Sequence, residues 1–190
     1  MPNYDAQLIF VFDDDLLQTG CELQNKWERK QRSAMSSVVL LSTTMSFYDG
    51  QQRIINGQMP RLSERSRVYL VGHGMLDKDG SVPVFSRHRL YDPTALATVV
   101  GKVLQLCHAD RVDRICLFAC YGGSASETHQ TRTTGSYAEK FARAASGLCN
   151  TVSAYMATVR IAYETGSLMP RKVTGNDNLH RGANERGRVP

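Results

Sequence analysis

Short apolar runs alternate along the chain with stretches whose apolar residues recur at helical spacing. Gln7 to Asp13 (QLIFVFD) reads as a first strand, and Ser37 to Thr43 (SVVLLST) as a second. Between them, Leu16, Leu17, Cys21, Leu23 and Trp27 mark one face of a helix spanning Leu16 to Met35. Asp13, Asp14 and Asp15 supply its N-cap and an acidic first turn, and Lys26, Arg29, Lys30 and Arg32 a basic end suited to the helix dipole. Tyr48-Asp49-Gly50-Gln51 predicts a hairpin turn followed by a short strand, Arg53 to Asn56. Pro60 to Arg67 links into a strand that ends at His73, and Met75 to Arg89 reads as a loop. Asp92 and Pro93 open a helix that runs to about Cys107. A strand ending at Cys120, a small polar loop from Gly122 to Gly135, a helix from Ser136 to Leu148 and a strand from Thr151 to Met156 follow. Val159 to Tyr163 and Leu168 to Val173 flank Glu164-Thr165-Gly166-Ser167 and predict a β-hairpin.

Strands alternating with helices imply an α/β fold with a mostly parallel central sheet covered on both faces. Residues 1–173 read as one domain and 174–190 as a polar, basic tail. With 42% hydrophobic residues the chain can bury an ordinary core, and no apolar run is long enough to span a bilayer. Met1 to Gln7 lacks the basic start and small-residue cleavage site of a secretory signal, which leaves export without a cleaved signal open. Five cysteines, odd in number and irregular in spacing, argue against a disulfide framework or a zinc ribbon. The net charge of +5 suits an anionic partner without choosing among nucleic acid, a membrane surface and a polyanionic small molecule.

Two segments carry the chemistry. Leu70-Val71-Gly72-His73-Gly74 and Leu117-Phe118-Ala119-Cys120-Tyr121-Gly122 each end an apolar strand in a reactive side chain beside glycine. The carboxyl ends of parallel strands are where open α/β sheets bind ligands. Cys120 is a candidate nucleophile and His73 its general base, with 47 residues between them (120 − 73), enough for one crossover to an adjacent parallel strand. Backbone N–H groups at Gly74 and Cys120 offer an oxyanion hole. Cys21, Cys107, Cys116 and Cys149 read as core residues. The Gly-x-Ser-x-Gly elbow, the Walker loop and Gly-x-Gly-x-x-Gly are all absent. His73, Cys120 and His108 match no metal-ligand spacing, so no metal is expected.

These blocks resemble the caspase-like (clan CD) cysteine peptidases. They resemble most the self-cleaving cysteine protease domain of RTX (MARTX) and large clostridial toxins, over about Leu8 to Val173. The caspase pattern also sets its His about 50 residues before its Cys. Val38 to Leu41 is similar to that family's second strand, Tyr48-Asp49-Gly50 to its acidic turn, and Val159-Arg160-Ile161 with Arg171-Lys172 to its flap hairpin. One departure is Ala119 before Cys120, where the family usually has Gly.

The resemblance implies a cysteine endopeptidase activated by inositol hexakisphosphate, cleaving after Leu, and working in a host cytosol as a secreted bacterial protein or toxin fragment. It implies a polypeptide substrate (the chain itself or a host protein), no nucleic-acid partner, and a monomer. It offers Asp49 to orient His73, a residue that serves equally as a plain turn aspartate. It assigns the anion to Lys26, Arg29, Lys30, Arg32, Arg53, Arg160, Arg171 and Lys172, by charge-assisted bonds to phosphate. Whether the chain is an excised domain or a stand-alone effector stays open. Three other readings fit the residues less fully: a polyanion- or inositol-phosphate-binding module without peptidase activity, a differently activated clan CD peptidase without autoprocessing, and a Cys-dependent acyltransferase.

Overall fold

Val, Ile, Leu and Phe concentrate in the central strands, Ala6–Val11, Arg67–Val71 and Val112–Phe118, because both faces of the sheet are covered. The computed structural model describes residues 4–30, 35–40, 53–56, 60–77, 80–82, 91–119, 137–155, 159–163, 170–174 and 186–189. The elements are β1 (Ala6–Val11), a 3-10 turn (Asp14–Leu16), α1 (Leu17–Lys30), β2 (Met35–Leu40), β3 (Arg53–Asn56), β4 (Arg67–Val71), β5 (Met75–Asp77) and β6 (Gly80–Val82). They continue with α2 (Pro93–Leu106), β7 (Val112–Phe118), α3 (Tyr137–Ala144), β8 (Cys149–Tyr155), β9 (Val159–Tyr163), β10 (Pro170–Thr174) and β11 (Arg186–Val189).

The main sheet has the order β11-β8-β7-β4-β1-β2-β3. Its five inner strands are all parallel, and β3 and β11 close the edges antiparallel. Alternate residues point to opposite faces. Leu8, Phe10, Val68, Leu70, Ile115, Leu117 and Val152 join the core built with α2 and α3. Ile9, Val11, Val38, Leu40, Tyr69, Val71, Cys116 and Phe118 join the core that includes Leu23 of α1. The result is the expected α/β caspase-like arrangement: a parallel sheet between one helix and two.

Local signals explain the elements. Asp92 caps α2, its Oδ1 accepting from the N–H groups of Thr94 at 2.8 Å and Ala95 at 2.9 Å, with Pro93 opening the helix. Helix α2 ends where His108 takes a left-handed backbone, φ 54°. On the other face α1 lies very close to the sheet at Gly20. A Cβ there would meet Val11 Cγ2 at 2.6 Å, so glycine is what permits the approach.

The structure also departs from the sequence reading. Asp13 is the residue before the 3-10 turn, but its side chain makes no capping hydrogen bond, and α1 starts only at Leu17. The stretch read as a loop after Gly74 contains the hairpin β5–β6, pairing Met75 with Val82 and Asp77 with Gly80. Residues 186–189, read as tail, form β11 along β8, because β8 is otherwise an edge with unpaired backbone groups. The C-terminal hairpin pairs β9 with β10 antiparallel, and β9 lies near α1.

Candidate active site at the carboxyl end of the sheet

Strand β4 runs parallel to β7 with Val71 opposite Phe118, and the Gly72 N–H continues the ladder to the Phe118 carbonyl at 3.2 Å. His73 therefore leaves the sheet at its carboxyl end, half-buried. Strand β1, the other neighbour of β4, ends in the same place and delivers Asp13 and the turn carrying Asp15. A bond from the Leu16 N–H to the Asp13 carbonyl at 3.0 Å closes that turn.

His73 Nε2 lies 3.1 Å from both carboxylate oxygens of Asp15 and 3.9 Å from Oδ2 of Asp13. Asp13 is buried, with 3% of its side chain exposed, against 43% for Asp15 and 25% for His73. A carboxylate only accepts, so the neutral imidazole donates from Nε2 and keeps its lone pair on Nδ1. That is the tautomer a general base needs when its acidic partner sits behind it.

Asp13 and Asp15 were assigned to helix capping in the sequence reading; their role at His73 was missed. The available signal was a run of three aspartates at the end of a strand adjacent to the histidine strand. Asp49, the acidic partner offered by resemblance, lies outside the described residues, as do Cys120 and Arg32. Gly74 follows His73 at the sheet end.

The remaining cysteines are placed as expected. Cys107, Cys116 and Cys149 are buried and Cys21 half-buried. Burial pushes the Cys107 and Cys149 thiols up to about 11 and also raises Cys21. Such thiols stay protonated at neutral pH and are poor nucleophiles.

At the opposite end of β4 the structure brings together a second group. The Arg67 guanidinium lies over the rings of Trp27 at 4.5 Å, Tyr4 at 4.8 Å and Tyr69 at 4.8 Å. It donates to Oε1 of the fully buried Gln7 at 2.5 and 3.1 Å. The Tyr4 hydroxyl and Trp27 Nε1 are buried without a hydrogen-bond partner among the described residues. Trp27 lies on α1 between Lys26 and Arg29, so this cage adjoins the helix end assigned to the anion. Arg67 was read only as a strand residue. Arg53, Arg160, Arg171 and Lys172 lie on β3, β9 and β10, and Lys30 ends α1; their side chains lie outside the described residues.

No helix among the described residues is long and apolar enough to cross a membrane. No curated protein matches the chain significantly. The model of the Peptidase C80 family matches residues 2–169, which include the strands that carry His73 and lead to Cys120. With a caspase-like sheet, an imidazole backed by carboxylates and a family match over most of its length, the chain belongs to the Peptidase C80 family of cysteine peptidases.

Proposed function

We propose that the protein is an inositol-hexakisphosphate-activated cysteine endopeptidase of the toxin-processing, caspase-like type. Cys120 is its nucleophile and His73 its general base. The observation that carries this reading is the β4–β7 register. Arg67 pairs with Arg114 and Val71 with Phe118, and Cys120 stands as far beyond Phe118 in sequence as His73 beyond Val71. The other four cysteines belong to the two cores or to half-buried α1 positions, which leaves Cys120 as the thiol for chemistry.

In this mechanism His73 Nδ1 takes the Cys120 thiol proton while Asp15 holds the imidazole through Nε2 and stabilises the imidazolium. The thiolate attacks the scissile carbonyl carbon, and the N–H groups of Gly74 and Cys120 hold the oxyanion. Collapse expels the amine, which takes the proton from His73. Water, deprotonated by the same imidazole, then hydrolyses the thioester. Cleavage after Leu, on the chain itself or a host protein, is part of the proposal.

The activator binds away from this site. Lys26 and Arg29 flank Trp27 in the sequence of α1, and β9, carrying Arg160, lies near α1. A polyphosphate at that end joins helix and hairpin by charge-assisted bonds, and its supply in a eukaryotic cytosol restricts activity to the host cell.

Thermal unfolding with and without inositol hexakisphosphate, followed by peptide cleavage under the same conditions, tests the proposal. At a hundred times its dissociation constant the ligand stabilises by about 2.7 kcal/mol, and Cys120→Ala abolishes cleavage in a folded protein. Cleavage surviving in Cys120→Ala overturns the nucleophile assignment. Cleavage at full rate without the polyphosphate overturns the activator.

A further inference from the structure

Past His73 and Gly74 the chain enters the hairpin β5–β6. These two strands pair with each other, and neither pairs with any other described strand. A hairpin without a third strand is marginal in water and carries unpaired backbone groups along its outer edges. The register identifies those groups. Asp77 and Gly80 form the innermost pair and are three apart in sequence, the spacing of the first and last residues of a β-turn, which bond each other. Antiparallel pairs alternate between those that exchange hydrogen bonds and those that do not. Leu76 and Ser81 are therefore the non-bonded pair, and the backbone N–H and C=O of Leu76 both point away from β6. Leu76 is three residues from His73, so the two lie within about 10 Å of each other.

We propose that the outer edge of β5 binds the polypeptide substrate as an added strand, with one substrate residue bonded through its own N–H and C=O to the backbone of Leu76. The use of this edge in catalysis rests on His73 and Cys120 being the cutting pair; the binding of an extended peptide does not. The chain belongs to a peptidase family, so a polypeptide is its substrate. The edge continues directly from the strand that carries the base, β4, through Gly72, His73 and Gly74. Main-chain pairing holds an extended segment whatever its side chains, engages every second residue, and leaves the residues between free for specificity pockets. It also fixes the scissile bond against the imidazole, which is the positioning that catalysis needs. Given the reach from His73, the residue paired with Leu76 stands within about three positions of that bond.

The test uses full-length Cys120→Ala with inositol hexakisphosphate present and a fluorescein-labelled peptide of Ala and Ser with one central Leu, its binding read by fluorescence anisotropy. N-methylation then removes one peptide N–H at a time. Methylation at a single position near the Leu is expected to weaken binding about tenfold, with the positions on either side unaffected, because their N–H groups face away from the edge. On the protein, Leu76→Pro removes the outward N–H without breaking a bond inside the hairpin, and is expected to weaken binding by a similar factor. Ser81→Pro alters the hairpin as much but on its other edge, and is expected to bind as the parent does. Equal losses in the two proline variants overturn the assignment, as does a methylation scan with no sensitive position. No binding of the peptide to the folded protein overturns it too. Peptide cleavage surviving in Cys120→Ala counts against the nucleophile alone, since the anisotropy readings do not depend on which group cuts.

Discussion

Arg67 and His73 stand near opposite ends of the same short strand, and their surroundings differ in sign and in what each side chain has left to offer. At the amino end a permanent cation is enclosed by three rings and a buried amide. Planar stacking and a two-point hydrogen bond suit a guanidinium and fix it in place. At the carboxyl end an imidazole meets two carboxylates of unequal burial through one ring nitrogen. The amino end holds a charge still; the carboxyl end holds a proton that can move. Both are built from β1 and β4: Gln7 and Arg67 pair at one end, and Asp13 and His73 emerge at the other.

The sharpest way to break this comparison is to remove the carboxylate behind His73. Asp15→Asn leaves a side chain of equal size that no longer favours the imidazolium. Because Asp15 is partly exposed, the expected loss is about ten- to a hundredfold in kcat, below that of a fully buried triad aspartate. KM should change little, since Asp15 acts through His73. Asp13→Asn, at the longer distance, should cost less. A loss confined to KM would show that these aspartates bind substrate instead.

At the amino end the expected effect is on stability. Arg67→Ala removes three cation–ring contacts and leaves the buried Gln7 oxygen without its donor. Together these should cost about 2–4 kcal/mol in urea unfolding. Arg67→Lys keeps the charge but loses the planar stack, and should fall between wild type and alanine. Equal stability of all three proteins would show that the cage contributes nothing to the fold.

Most of the fold was legible because β1, β4 and β7 carry apolar runs and α2 carries its own start signal. Asp92-Pro93 fixed α2, and β3 fell at Arg53–Asn56 as its Asp-Gly turn predicted. A mostly parallel sheet followed from alternation alone; its five parallel inner strands and their order did not. What stayed hidden was three-dimensional. Nothing local distinguishes Asp13 and Asp15 at a helix start from the same residues facing His73, which is 58 positions from Asp15 in sequence. Placing β1 beside β4 is what reveals them, and periodicity does not give strand order. Arg67 was overlooked for the same reason: Tyr4, Gln7 and Trp27 reach it from two other elements.

Gly20 links fold and site on the α1 face. Gly20→Ala would drive a methyl group into Val11, the last residue of β1 before the aspartates. Overpacking of this kind costs about 1–3 kcal/mol. The better helix propensity of alanine returns about 1 kcal/mol. A net loss of up to about 2 kcal/mol is expected, with a lower kcat if β1 shifts its aspartates away from His73. Unchanged stability and activity would mean that α1 can move off the sheet without disturbing Asp13 and Asp15.

The smallest effect belongs to Asp5, a carboxylate that the amino end uses purely for structure. Ser63 and Ser66 donate their hydroxyls to its two oxygens at 2.5 and 2.7 Å, tying the start of β1 to the lead-in of β4. Burial alone would raise its pKa, but the hydrogen bonds from Ser63, Ser66 and the backbone outweigh burial and hold it below the usual carboxylate range. A pKa lower in the folded state means that the unfolded chain binds the proton more readily. The stabilisation is therefore complete above the unfolded value of about 4 and fades as pH falls through the folded one. Asp5→Asn should be modestly less stable than wild type at neutral pH, and urea-unfolding midpoints of the two should converge in acid. Asp5 is exposed, so the gap should stay small at every pH. A gap that persisted below about pH 3 would show that the serines bind the side chain by shape and neutral hydrogen bonds and that its charge is irrelevant.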